Sequence, residues 1–470
     1  MLTAVRIGAN TTMERFQIRS DLTTNWKKFR MYIDKNFKNN KIEPIVVQSN
    51  RDELLFTPRK RKRFGIHQNI RFILGTASYM GAFPVTNMMS ADPNRLAFHW
   101  ISYPTAYTFF LLFGFITIEI LAVRYSMRNI NQANLAAAGG FKKATSGTIF
   151  YGNACIGVYL FLKLARSWPD LIREWHNIEL SMYRFGTPKV LLRFVVMTGT
   201  LMSLGFIEHM FHDVLTTRAA VKASIKEIVL NGTRKPGFYE TFHIFLERYS
   251  LNSHWYLIEE ESDYRVWKGL LILWLSLTAT LIWNFIDLFI MLISAALAAQ
   301  FTIVNRTLRK IRGRVLTESQ WREYREMYAN MTHLVKTVDN HINKIIAISV
   351  ANNIYFICAQ LITEIDSIKQ DYIPSIFYLY SFLFLVARTT AVVIQAAAVH
   401  DESLKVTPEL FKCPYESYCI EVQRFLQEVT SDHVSLTGLN MFSITRNFLL
   451  GIAGAILTYE IVLIQLQNTK

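Results

Sequence analysis

Residues 440–466 form the last long apolar stretch of the chain, and within it runs Gly451-Ile452-Ala453-Gly454-Ala455-Ile456-Leu457-Thr458-Tyr459-Glu460-Ile461-Val462-Leu463-Ile464-Gln465-Leu466. At about 1.5 Å of rise per residue, an α-helix of that length crosses the roughly 30 Å hydrocarbon core of a bilayer. One of its faces is small or polar, with Gly451, Gly454, Ala455, Thr458, Tyr459 and Gln465. Lipid alone does not favour such a face, so the helix is expected to turn it toward protein or water.

The rest of the chain has the same character. At 51% hydrophobic and 13% aromatic residues, its 470 residues hold more apolar side chain than one soluble domain can bury. The excess gathers into eight blocks, 68–89, 98–124, 145–165, 190–215, 266–305, 345–366, 374–399 and 440–466, which reads as an all-α, multi-span membrane protein. A net charge of +15 in a soluble protein would suggest a nucleic-acid partner. Here the basic residues lie between apolar blocks, so the positive-inside rule accounts for them and no nucleic acid is expected. Four cysteines, two of them inside apolar runs, make no disulfide framework.

Residues 1–66 carry 15 Lys or Arg against six Asp or Glu, end in Arg59-Lys60-Arg61-Lys62-Arg63, and lack a signal peptide. They read as a cytosolic tail. The sequon Asn231-Gly232-Thr233, in the polar segment 216–264, is expected outside and glycosylated, which requires an odd number of crossings before it. Four apolar blocks precede it. The first, interrupted by Gly75, Ser78 and Gly81 and broken at Phe83-Pro84, is therefore expected to be re-entrant, leaving seven crossings and an extracellular C-terminus.

The resulting organisation is a tail over 1–66, a re-entrant helix and spans one to six over 67–405, a cytosolic amphipathic helix in 406–436 and a seventh span in 437–470. The fourth and fifth helices are expected to continue below the membrane over 306–344 as a hairpin. Thr317-Glu318-Ser319-Gln320 has capping-box form, and Trp321, Tyr324, Tyr328, Met331, Val335, Val338, Ile342 and Ile345 follow at coiled-coil spacing. An apolar stripe of Cys419, Val422, Phe425, Leu426 and Val429 marks a short amphipathic helix expected to pack on that hairpin, and the seam and the 415–429 helix are expected to form most of the inter-subunit contact.

Thr458-Tyr459, then five residues, then Gln465 resembles the C-terminal signature of insect gustatory receptors, and Glu460 resembles their sugar-receptor branch. Leu466 stands where that signature closes with Phe, a departure shared with odorant co-receptors. Similar stretches are Leu164-Ala165-Arg166-Ser167-Trp168-Pro169-Asp170-Leu171-Ile172-Arg173-Glu174-Trp175, Asn352-Asn353-Ile354-Tyr355-Phe356, Val399-His400-Asp401 and Cys419-Ile420-Glu421-Val422-Gln423. The resemblance covers roughly residues 65 to 466. It implies a homotetrameric cation channel in the plasma membrane of a gustatory neuron, alone or with related receptors. A sugar would bind within each subunit, and one final helix per subunit would line the pore. Val462, Gln465 and Leu466 share one helical face there and are expected to form the gate, with Thr458 and Tyr459 above them.

No P-loop, dinucleotide fingerprint or nucleophile elbow occurs, so no enzyme and no cofactor is expected. Glu208-His209-Met210-Phe211-His212-Asp213 has its histidines at i, i+3 rather than the zincin i, i+4, which favours helix-end packing or ligand contact over a metal site. Polar and aromatic residues within spans are the other candidates, because each is costly in lipid. Tyr151, Trp283, Asn284, Asp287, Tyr355, Gln360, Glu364 and Tyr380, together with Glu208, His209 and His212, offer what a sugar needs: ring faces for its CH surfaces and amides or carboxylates for its hydroxyls. Arg388 and Asp287 lie at comparable depth on neighbouring spans and are expected to pair.

Two other classes fit less well. A G-protein-coupled receptor would carry an acidic-Arg-Tyr triplet after span three and Asn-Pro-x-x-Tyr in span seven, and a transporter would show internal repeats with paired broken helices. Neither pattern is seen. An odorant-receptor-like channel subunit for a non-sugar ligand stays as the alternative.

Overall fold

The computed structural model describes residues 65–129, 140–230, 234–254, 257–258, 263–367 and 372–468, with the backbone alone at 129, 140–144, 253, 362–367, 372–374, 460 and 462–468. The described chain is a bundle of helices: α1 (Ile66–Tyr79), α2 (Tyr103–Asn129), α3 (Gly140–Met182), α4 (Leu191–Leu230), α5 (Phe238–Ser253), α6 (Val266–Ile311), α7 (Glu318–Ser367), α8 (Tyr372–Leu404), the single turn α9 (Thr407–Leu410), α10 (Ile420–Ser431) and α11 (Arg446–Asn468). A short antiparallel ribbon, β1 (Thr437–Gly438) with β2 (Phe442–Ser443), leads into α11. Six helices, α2, α3, α4, α6, α7 and α8, are long and apolar enough to cross a membrane. The tail to residue 64 and the sequon at Asn231 lie outside the described residues.

α6 is the central pillar. Its residues are apolar around nearly the whole circumference, a pattern that only a helix buried on all sides can satisfy, and every residue from Asn284 to Ala298 is buried. It packs against α3, α4, α5, α7 and α8. Peripheral helices instead keep apolar side chains on the outside, among them Phe113, Ile116 and Ile120 on α2, Leu192, Val195 and Val196 on α4, and Ile376, Leu379 and Leu383 on α8. Such faces suit lipid.

α6 and α7 run on as the expected hairpin, and the capping box at its turn is formed: Thr317 N–H donates to Gln320 Oε1 at 3.0 Å and Gln320 N–H to Thr317 Oγ1 at 3.4 Å. The seam is buried within the chain, and the amphipathic helix α10 packs on the hairpin as expected. Tyr328 packs on Phe301 of α6 and Phe425 of α10, with ring centroids 5.9 and 5.5 Å apart, and Trp321 Nε1 donates to Ser417 Oγ at 2.8 Å. α10 spends its apolar face, Val422, Phe425 and Val429, on the same seam.

The first apolar block folds as α1, at about 21 Å too short to cross a bilayer, followed by an irregular segment closed by a Thr86 to Ala97 bridge. Ile70, Leu74 and Phe83 bury against the bundle, Phe83 standing edge-on to Trp168 at 5.2 Å. The Leu164 to Trp175 stretch continues α3 through Pro169 and forms the wall that receives α1. Glu179, one turn further, accepts two bonds from Ile66 N–H, at 3.0 and 3.1 Å, and one from Gln300 Nε2 at 2.8 Å. Gly65, with φ at +107°, lets the chain enter α1 over this carboxylate; a β-carbon there would lie 2.1 Å from Glu179 Oε2.

The polar segment 216–264 departs most from its sequence reading. α4 continues to Leu230, and α5 then folds back onto α4 and α6 with Leu246, Tyr249 and Ser250 buried. Interspersed polar residues keep α5 from registering as an apolar block, so hydropathy alone shows only a polar segment there.

Candidate functional site

A cavity of about 250 Å³ opens within the bundle where α2, α3, α4, α5, α6, α7 and α8 converge. It is near the lower end of the range usual for small-molecule pockets, roughly 300–1,000 Å³. Trp283 and Phe356, with ring centroids 4.6 Å apart, and Phe377 and Phe384 supply apolar walls. Seven of the expected site residues line it: Tyr151, Glu208, His209, His212, Trp283, Asn284 and Gln360.

Helical spacing explains the convergence. On α4, Glu208, His209, His212 and Asp213 are successive members of one face. His209 Nδ1 stands 3.2 Å from Thr280 Oγ1, and its Nε2 stands 3.4 Å from Asp213 Oδ2. Gln360 Nε2 donates to Ser381 Oγ at 3.1 Å, and Ser381 Oγ donates to Glu208 Oε1 at 2.6 Å, so one chain of bonds ties α7, α8 and α4. Tyr151 Oη and His254 Nε2 are 2.8 Å apart on the α5 side. Gln360 Oε1 is buried without a hydrogen-bond partner among the described residues. Among those residues no three His, Cys, Asp or Glu side chains group as a metal site.

The expected ion pair joins the cavity wall to the residue beneath it: Arg388 lines the cavity and Asp287 does not. Arg388 Nε is 3.0 Å from Asp287 Oδ2, with both side chains almost wholly buried. The angle is too poor for a hydrogen bond from Nε, and the remaining guanidinium donors bond elsewhere. Arg388 Nη1 donates to Asn284 Oδ1 at 2.7 Å and Nη2 to Asn353 Oδ1 at 3.2 Å. Asp287 in turn accepts from Ser349 Oγ at 2.5 Å and from Asn353 Nδ2 at 3.1 and 3.2 Å. Burying two charges is costly, and these added bonds are what offset it. The guanidinium also lies 4.4 Å from the Trp283 ring centre, placing a cation against the cavity's main aromatic wall. Gly205 is required for this: a β-carbon there would lie 2.6 Å from Asn284 Oδ1.

Other expected residues fall elsewhere. Asp287 is screened from the cavity by Arg388. Tyr355 Oη meets Thr145 Oγ1 at 2.7 Å, and Tyr380 Oη donates to Leu204 O at 3.1 Å; neither lines the cavity. Of the tandem amides, Asn353 joins the network, whereas the Asn352 amide is buried with no hydrogen-bond partner among the described residues. The side chains of Glu364, Val462, Gln465 and Leu466 lie outside the described residues; Thr458 and Tyr459 are on an exposed stretch of α11.

Sequence reasoning missed Thr280, Ser381 and Phe384 as lining residues, although 276, 280, 283 and 284 on α6 and 377, 381, 384 and 388 on α8 recur at helical spacing. Tyr249 and His254 carried no such signal, because their helix read as a loop.

Six candidate spans around a polar and aromatic cavity define a multi-pass membrane protein, and its fold is that of an insect chemoreceptor. The insect olfactory receptor OR5 from Machilis hrabei superposes with a TM-score of 0.56 at 12% identity over 86% of this chain and 100% of that one. The same receptor in complex with eugenol gives 0.57 at 13% identity, over 85% and 97%. The family model described as trehalose receptor matches residues 57–470, and the chain belongs to that family. Among its relatives in Drosophila melanogaster, gustatory receptor for sugar taste 64f is 30% identical over 85% of this chain and 80% of its own length. Gustatory receptor 5a for trehalose is 26% identical over 87% and 88%. The family is one of taste receptors, not of enzymes.

Proposed function

We propose that this chain is a sweet-taste receptor subunit of the plasma membrane: a cation channel opened by a mono- or disaccharide held in the cavity behind Trp283. The observation that carries the reading is the cavity's composition. Ring faces from Trp283, Phe356 and Phe384 line it together with Glu208, His212 and Gln360, the pairing of apolar and hydroxyl-matching surfaces that a carbohydrate requires. Sugar-taste relatives over most of the chain support it further.

In this reading four copies surround an axis lined by α11, alone or with related receptors. Each subunit has a cytosolic N-terminus, an extracellular C-terminus and an N-linked glycan on Asn231. Val462 and Leu466 form apolar rings that close the pore by dewetting, and Gln465 forms a polar ring between them. Sugar opens the pore only through a higher affinity for the splayed state. The mostly exposed faces of Gly451, Gly454, Leu457 and Thr458 on α11 in the single chain agree with a helix completed by neighbours.

Whole-cell recording from cells expressing this chain alone, across a panel of mono- and disaccharides, tests the proposal. An inward cation current to at least one sugar is expected. A surface-expressed chain that stays silent to every sugar yet opens to small aromatic odorants would replace the sugar reading with the odorant-receptor-like alternative.

A further inference from the structure

A second cleft, of about 310 Å³, lies between α2 and the first turns of α6, on the side of the bundle away from the polar cavity. Phe110, Phe113, Leu271 and Trp274 make most of its wall, and Lys268 is the charged group that lines it. Its rim faces outward with exposed apolar side chains, Phe113 at 71% and Trp267 at 63%. In a multi-pass membrane protein that exposure meets lipid rather than water. Gly114 lets α2 approach α6 at the cleft's base, where the Leu275 side chain packs 3.1 Å from where a β-carbon would be.

We propose that this cleft is a binding site for a membrane phospholipid, one acyl chain lying between α2 and α6 and the phosphate held by Lys268. The chemistry is layered in the order of a lipid: apolar walls reach down to Trp274 and Leu275, and the Trp267 indole and Lys268 ammonium sit together at the first turn of α6. Lys268 Nζ donates to Asp263 O at 2.8 Å, and that bond uses one of its three N–H groups. A phosphate is the anion a bilayer presents at that level. The site also adjoins the polar cavity: Leu275 in the cleft wall is followed directly by Ser276, which lines that cavity. The inference depends on the fold and not on the sugar reading.

Photo-crosslinking tests it. The full chain is placed in phosphatidylcholine nanodiscs containing a small fraction of phosphatidylcholine with a diazirine in mid-chain, irradiated and digested, and the adducts are mapped. Adducts should concentrate on 110–118 and 267–275 relative to the equally lipid-exposed 192–196 of α4. Thr117→Phe fills the cleft from an exposed position without touching the core, and should abolish the excess while leaving the α4 adducts unchanged. Lys268→Gln should lower the excess roughly fivefold, the order of one lost charge-assisted contact. Adducts spread evenly over the lipid-facing helices, or an excess that survives Thr117→Phe, would overturn the proposal.

Discussion

Arg388 is the residue on which the cavity wall depends. It touches Asp287, Asn284, Asn353 and the Trp283 ring, so four side chains on two other helices take their positions from one guanidinium. Removing one partner of a buried pair leaves an uncompensated charge, at a cost of about 3–5 kcal/mol. Arg388→Met should therefore collapse surface expression, and Asp287→Leu with Arg388→Met should recover much of it; a double variant no better than the single one would mean the pair is not the main constraint. Lining residues should behave differently. Trp283→Ala and Gln360→Ala should shift sugar dose-response curves to the right, by roughly tenfold for the lost aromatic face, at normal surface density. Tyr355→Phe and Tyr380→Phe, outside the cavity, should leave the curves in place.

At the scale of elements, α7 is a single rod that carries both the cavity network and the base of α11. Ser349 and Asn353 hold Asp287, while three turns away Asp339 accepts from Thr437 N–H and from Thr437 Oγ1, both at 2.7 Å, and Asn343 O accepts from Leu439 N–H at 3.2 Å. The β1–β2 ribbon before α11 is thus clamped to the helix that feels the cavity. Asp339→Asn, which weakens the clamp without changing its shape, should reduce maximal sugar-evoked current while surface density stays the same. The seam below belongs to the same rod. Tyr328→Glu with Val335→Glu should now yield misfolded, protease-sensitive protein rather than well-folded monomers, which sizing and limited proteolysis distinguish. α10 is held to the seam from its polar edge too: Arg325 of α7 donates to Glu421 at 2.8 Å, and with a bond at 2.7 Å from Arg424 within α10 it keeps the Glu421 carboxyl below its usual range. A depressed carboxylate contributes fully above its unfolded pKa of about 4.3 and loses that contribution as pH falls through its lower folded value. Hydrogen exchange of α10 amides, corrected for intrinsic rates, should show local loosening below about pH 4.3, and Glu421→Gln should show it already at neutral pH.

For the whole molecule, the proposed assembly turns on α11. Val462→Ser should raise sugar-independent current and Gln465→Ala should change relative permeability among cations, because each side chain would recur once per subunit around the axis. Variants that reach the surface and conduct like the parent would remove α11 from the pore. How much of this was legible follows from range. The long helices were legible in the sequence because hydropathy, helical period and capping chemistry are local: α6 is apolar all round, and Thr317 with Gln320 needs only each other. The Arg388–Asp287 pair was legible because charges at membrane depth have few alternatives to one another. What only tertiary structure decided is where each face points. That α10 packs on the hairpin was legible from its apolar stripe, but that Tyr328 meets both Phe301 and Phe425 was not, since periodicity specifies a buried stripe and not the residues that fill it. Likewise Tyr249 and His254 reach the cavity because α5 folds back onto α4 and α6, a long-range packing choice that a short amphipathic segment does not announce.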